Sequence, residues 1–176
     1  PLILAGGGAA FNIEPAAPFF DAAVVGDGEE VLPELLERLG KAGQRGQSRT
    51  ATLEEIAGLP GVYVPAFFLE AEGGRAVKPA TGRKPSVEKA VAEDLEALDF
   101  PDTQLVPFHQ AVHDRLTLEI ARGCTRGCRF CHAGMVYRPV RERSLDTLDD
   151  LLTRSLENTG FEELSFLSLS AGDYSD

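Results

Sequence analysis

Apolar residues in the first part of the chain come in short unbroken runs punctuated by glycine. Pro1-Leu2-Ile3-Leu4-Ala5 runs into Gly6-Gly7-Gly8, as a buried parallel strand opening into a tight loop does. Pro15 to Phe20 suits a helical turn. Ala22-Ala23-Val24-Val25 is a second buried strand, broken by Gly26-Asp27-Gly28. From Glu29 to Leu39 the period changes to that of a helix, with Val31, Leu32, Leu35, Leu36 and Leu39 on one face. Acidic residues crowd its first turn, where the helix dipole favours them, and Gly40 reads as its stop. Lys41 to Thr50 is polar and reads as a linker. Leu53 to Ala57 is expected to be a short helix capped by Thr52. Gly61 to Pro65, Ala66 to Leu69, Gly73-Gly74 and Ala76 to Lys78 predict a small hairpin, with Tyr63, Phe67 and Phe68 as packing residues. Ser86 is placed to cap a helix from Val87 to about Leu98, stopped by Pro101.

The later part alternates differently. Arg115 to Ala121 has the period of a strand, Ser144 caps a predicted helix from Leu145 to Glu157, and Asn158-Thr159-Gly160 closes it. Glu163 to Ser170 is the next strand. Strand, loop, helix, strand is the first unit and a half of a (β/α) barrel, and α/β sheets place their ligands at the carboxyl ends of the strands. The predicted class is therefore α/β.

All three cysteines lie in the loop after the Arg115–Ala121 strand, as Cys124-Thr125-Arg126-Gly127-Cys128-Arg129-Phe130-Cys131. Iron–sulfur clusters ordinarily take four cysteine ligands, so three leave one iron open to an exogenous ligand. A zinc site wants four N or S ligands in a closed tetrahedron. His132 adjoins Cys131 awkwardly for the same ion, although His113 precedes the strand and is available. A disulfide suits an odd number of cysteines poorly. Zinc and a structural cluster stay open as alternatives on spacing alone.

The Cys-x-x-x-Cys-x-x-Cys spacing, with the aromatic Phe130 before the last cysteine, resembles the radical S-adenosylmethionine (SAM) superfamily. The resemblance implies that Cys124, Cys128 and Cys131 bind a 4Fe-4S cluster whose open iron is chelated by SAM. Reductive cleavage of SAM would then yield a 5′-deoxyadenosyl radical, and Phe130 would pack beside the cluster or the adenine. Ala171-Gly172-Asp173 is similar to the Gly-Gly-Glu-like turn of that family, with Ala and Asp in place of Gly and Glu. Gly172 and Asp173 would accordingly meet the methionine amino group of SAM. Tyr137-Arg138-Pro139-Val140-Arg141-Glu142-Arg143-Ser144 is similar in position to an arginine-rich stretch of methylthiotransferase-like members. Arg141 or Arg143 would pair with the SAM carboxylate in a fork geometry, or else bridge to neighbouring helices. The implied redox partner is an electron donor of the flavodoxin or ferredoxin type.

Residues 1–39, with Ala-Gly-Gly-Gly and then Val-Val-Gly-Asp-Gly-Glu-Glu-Val-Leu-Pro-Glu-Leu-Leu, resemble the last third of the cobalamin-binding domain fused ahead of many radical SAM enzymes. The expected organisation is the C-terminal part of a Rossmann-like cobalamin-binding-type domain at 1–45, a linker and small insert at 46–110, and the N-terminal part of a radical SAM core at 111–176. Cobalamin is thus a conditional cofactor, and methyl transfer to an unactivated carbon is the reaction it would imply. The run Glu119 to Cys124 together with Met135 to Ser144 looks like a bacterial group of radical SAM proteins whose substrate is unassigned.

The chain of 176 residues begins at Pro1 and has one methionine, Met135, so it is expected to be a segment of a longer polypeptide. No stretch approaches the ~20 apolar residues that cross a bilayer, and reduced cysteines favour the cytoplasm. Net charge is −11, which opposes generic coating of nucleic acid. Yet Arg115 to Arg143 carries a local +5, leaving −16 elsewhere. Arg122, Arg126 and Arg129 would offset the negative charge of a thiolate-bound cluster. The same basic stretch keeps RNA among the candidate substrates, and keeps an arginine-rich nucleic-acid-binding module beside a zinc-binding structural module as alternatives.

Overall fold

A computed structural model describes residues 1–71, 77–82, 86–109 and 111–175. They form two compact units, Pro1–Ala92 and Glu93–Asp176.

In the first unit, β1 (Leu4–Ala5) pairs in parallel with β2 (Ala22–Val24), Leu4 opposite Ala22. The chain between them winds through two 3₁₀ segments, Gly8–Asn12 and Glu14–Phe19, in agreement with the expected helical turn. All three residues of β2 are buried, as befits a strand covered on both faces. On one side Val24 joins Val31, Leu35, Leu53, Ile56, Leu59, Val62 and Val64 in the main core. On the other, Ala23 packs with Ala10 and Tyr63. The third strand, β3 (Val62–Tyr63), runs antiparallel to β2, so the sheet is mixed. Tyr63 and Phe68 stack with centroids 4.6 Å apart, consistent with a packing role.

Two boundaries move. The first helix, α1, spans Val31–Gln44 and passes through Gly40. A glycine costs a helix roughly 1 kcal/mol relative to alanine, and tertiary contacts beyond it outweigh that. Ala42 is buried, and Arg45 bridges to Glu55 at 2.9 Å on the next helix. That helix, α2, spans Arg49–Ile56, so of the expected linker at 41–50 only residues 45–48 lie between the two helices. Its cap is Ser48, whose hydroxyl accepts from the Ala51 N–H, while Thr52 is buried in the first turn and donates to the Ser48 carbonyl at 3.0 Å. The expected apolar stripe of α1 is also only partly used, because Leu32 and Leu36 are exposed.

The helix expected from Val87 to Leu98 is absent. Ala90 instead lies extended beside Gly26, its N–H donating to the Val25 carbonyl and its carbonyl accepting from the Asp27 N–H, both at 2.9 Å. The Ala92 N–H donates to the Asp27 carboxylate at 3.0 Å. Pairing to residues some 65 positions earlier satisfies the groups that a helix would have paired locally. Gly26 is required there: at φ +107° an added Cβ would sit 2.0 Å from the Ala90 oxygen. The predicted hairpin is present as β4 (Phe68–Glu70) against β5 (Val77–Pro79). Its expected Gly73-Gly74 turn and Ala76 lie outside the described residues.

The second unit holds a β–α–β element. β6 (Leu116–Glu119) pairs in parallel with β9 (Leu164–Leu167), Leu116 opposite Leu164 and Glu119 opposite Leu167. The crossover helix α4 (Leu145–Thr159) buries Leu148, Leu151 and Ser155, and its leucines pack with Leu118, Ile120 and Ala121. Ser144 caps it, accepting from the Thr147 N–H at 3.3 Å, and Gly160 closes it in the left-handed conformation at φ +71°. A second cap comes from Glu96, which accepts from the Ser144 N–H at 2.5 Å and from the Thr147 hydroxyl.

The predicted cluster strand is really two. After Glu119 the chain turns away, and β7 (Ala121–Arg122) pairs antiparallel with β8 (Arg141–Glu142). The class is α/β as expected; neither a full Rossmann sheet nor a barrel is present among the described residues.

Candidate functional site

The loop from Gly123 to His132 leaves β7 and enters α3 (Ala133–Val136), a single helical turn. Its start is pinned against the segment that returns to β8. At Gly123 the backbone has φ +96°, and a Cβ there would lie 2.5 Å from the Pro139 carbonyl oxygen and 2.7 Å from that of Tyr137, so only glycine allows the close approach. Arg138 Nε donates to the Cys124 carbonyl at 3.3 Å. Arg141, buried, donates through Nε to the Pro139 carbonyl and through its terminal nitrogen to that of Tyr137, each at 3.2 Å.

Cys124, Cys128 and Cys131 are all free and half-buried. The Cys131 N–H donates to the Cys128 carbonyl at 3.0 Å. Two of the sulfurs accept main-chain N–H groups, Cys124 from Arg126 at 3.5 Å and Cys131 from Gly134 at 3.3 Å. Hydrogen bonds to ligand sulfurs are one of the means by which a protein tunes an iron–sulfur centre. Among the described residues no three His, Cys, Asp or Glu side chains are arranged to hold a metal ion. The donor chemistry is nonetheless that of a soft metal centre: three unpaired thiols on one anchored loop, with exposed His132 and His113 beyond it.

Phe130 is 91% exposed at the loop tip. Gly172 and Asp173 sit in a 3₁₀ turn, Ala171–Asp173, that follows β9. An added Cβ at Gly172 would meet nothing within 4 Å, so the turn does not require glycine there. Asp173 accepts a two-pronged bond from Arg126, at 2.5 Å from Nε and 2.6 Å from the terminal nitrogen, and a third bond from the Ser170 hydroxyl at 2.7 Å. Those donors, Arg126 first and Ser170 second, hold its carboxyl below the ordinary carboxylate range, and Arg126 is in turn held more firmly protonated. Cys124 and Cys128 lie near enough to add to that effect on Arg126.

Arg143 is almost fully buried; it donates to the Leu95 carbonyl at 2.5 Å and lies over the Phe100 ring, 5.9 Å from its centroid. Its Nε has no partner among the described residues. The three cysteines and Phe130 therefore share one loop, and Arg126 joins that loop to Asp173. Arg141 and Arg143 both donate to main-chain carbonyls. The Arg126–Asp173 pair spans 47 positions, and no local pattern could have announced it.

Residues 1–65 match the family model described as radical SAM proteins, N-terminal. The matched region is the first 65 of the chain's 176 residues and ends ahead of the cysteine loop. An uncharacterized protein of Methanocaldococcus jannaschii is 28% identical over 165 residues, or 93% of this chain. The chain spans 30% of that relative's length. No solved structure matches.

Proposed function

We propose that the chain is part of a radical SAM enzyme, with Cys124, Cys128 and Cys131 as the three ligands of a 4Fe-4S cluster. The observation that carries this reading is the set of three free, half-buried thiols on a loop pinned at its start and lying between β6 and α4 of the β–α–β element. When bound, the cluster and SAM supply reductive cleavage of the sulfonium and so the start of radical chemistry. The remaining work falls to the chain's own residues. Gly123 and Arg138 fix where the loop begins, and Arg141 fixes its return. The N–H groups of Arg126 and Gly134 orient the Cys124 and Cys131 sulfurs. Phe130 would cover the adenine or the cluster, and the Gly172–Asp173 turn would receive the methionine ammonium. Of Arg141 and Arg143, either of which the resemblance sets against the SAM carboxylate, Arg143 is assigned here to holding the Leu95 segment.

Substrate and reductant are proposed at the level of class. A one-electron donor of flavodoxin or ferredoxin type suits the cluster, and the substrate is one with an unactivated C–H bond, RNA included. Reduced thiols and an oxygen-labile centre suit the cytoplasm. No helix among the described residues is long and apolar enough to cross a membrane. Cobalamin is left out, since the resemblance of residues 1–39 is its sole ground.

The test is anaerobic reconstitution of the full-length protein with iron and sulfide. About four irons and four acid-labile sulfides per chain are expected, with alanine at Cys124, Cys128 and Cys131 together abolishing both. Stoichiometric zinc without sulfide would refute the assignment.

A further inference from the structure

An exposed ion pair ordinarily contributes little, because two solvated side chains must be ordered for a screened attraction; the exceptions have two-pronged geometry and further bonds. Arg126 and Asp173 form such an exception. Arg126 is 59% and Asp173 38% exposed, yet the guanidinium fork meets both carboxylate oxygens and Ser170 adds a bond to one of them. Arg126 Nε also donates to the Ser170 hydroxyl at 3.2 Å, closing a three-membered network. Its position matters more than its strength. Arg126 stands between Cys124 and Cys128, with its own N–H on the Cys124 sulfur. Asp173 ends the turn that follows β9, the strand paired with β6.

A carboxylate offers about four acceptor sites. Two on one oxygen are taken by Arg126 and Ser170, and one on the other by Arg126. One site on the second oxygen is left for a cation, in an orientation that the planar fork dictates.

We propose that Arg126 is a positioning residue that latches the Ser170–Asp173 turn to the cysteine loop and orients Asp173 for a ligand's ammonium group. The inference rests on the reading above for the identity of that ligand, the methionine end of SAM, but the latch itself exists in the chain without any cofactor. It differs from a direct ligand role for Arg126, whose charge is already satisfied by Asp173.

Two measurements test it. In the metal-free protein, trypsin cleaves after arginine, so the Arg126–Gly127 and Arg129–Phe130 bonds report on two side chains in the same loop, the second an internal control. Breaking the latch with Asp173→Asn should raise cleavage at Arg126 about fivefold relative to cleavage at Arg129, since cleavage follows the population of the released form. Ser170→Ala should raise it less. Unchanged ratios in both variants would overturn the latch. In the reconstituted full-length protein, Arg126→Gln should weaken SAM binding about tenfold, and combining it with Asp173→Asn should weaken it no further than Asp173→Asn alone, because coupled residues are not additive. Losses that multiply would show two independent contacts and reject the positioning role. If no cluster forms at all, the proposed function fails while the trypsin ratios still decide the latch.

Discussion

Three thiols spaced over eight residues were legible at once, because ligand spacing within a loop is a local property. The side chains that organise that loop were not. Gly123 reads as an ordinary turn glycine until the carbonyls of Tyr137 and Pro139 are found against it. Gly123→Ala should therefore cost about 2 kcal/mol or more, the strain of a disfavoured φ plus a backbone clash, measured as a shift in the urea midpoint. An unchanged midpoint would mean the loop is not pressed on that segment. Arg141, which the resemblance offers for a ligand's carboxylate, also donates to the carbonyls of Tyr137 and Pro139, a role its sequence position does not reveal. Arg126 stands out in the sequence for its charge and Asp173 for the turn it ends, and only the fold brings them together.

Among elements, the β6–α4–β9 unit follows the sequence closely. Its caps are local, Ser144 at one end and Gly160 at the other, and both are where the pattern placed them. The failures share a cause. Residues 87–98 and the continuation of α1 past Gly40 were decided by partners remote in sequence, Val25 to Asp27 in one case and α2 in the other. The non-local cap from Glu96 yields a pH prediction. Burial pushes the Glu96 carboxyl up, but the Thr147 hydroxyl, the Ser144 N–H and hydroxyl and the Arg143 charge together hold it below its ordinary value. A carboxyl lowered on folding adds stability above its unfolded value, and that stability is lost as pH falls through the folded value. The second unit should thus be less stable in Glu96→Gln than in the parent at pH 7, and the gap should close as pH falls below 4. Denaturant titrations at the two values check this; a gap that persists at low pH would assign the effect to packing.

At the level of the whole chain, class was readable and architecture only in part. Parallel pairing of β1 with β2 and of β6 with β9 bears out α/β, while antiparallel β3 makes the first sheet mixed in a way the apolar run at Val62 could not reveal. Apolar side chains at Phe166, Leu167 and Leu169 remain open on and beyond β9. The match of residues 1–65 to the N-terminal region of radical SAM proteins and the cysteine loop some 60 residues further on are the two separate grounds of the proposed function. The most direct measurement is therefore the product of SAM when the anaerobically reconstituted full-length protein is given a strong one-electron reductant. Release of 5′-deoxyadenosine, lost when Cys124, Cys128 and Cys131 are replaced by alanine, is the predicted result; SAM recovered intact from protein carrying a complete cluster would contradict it.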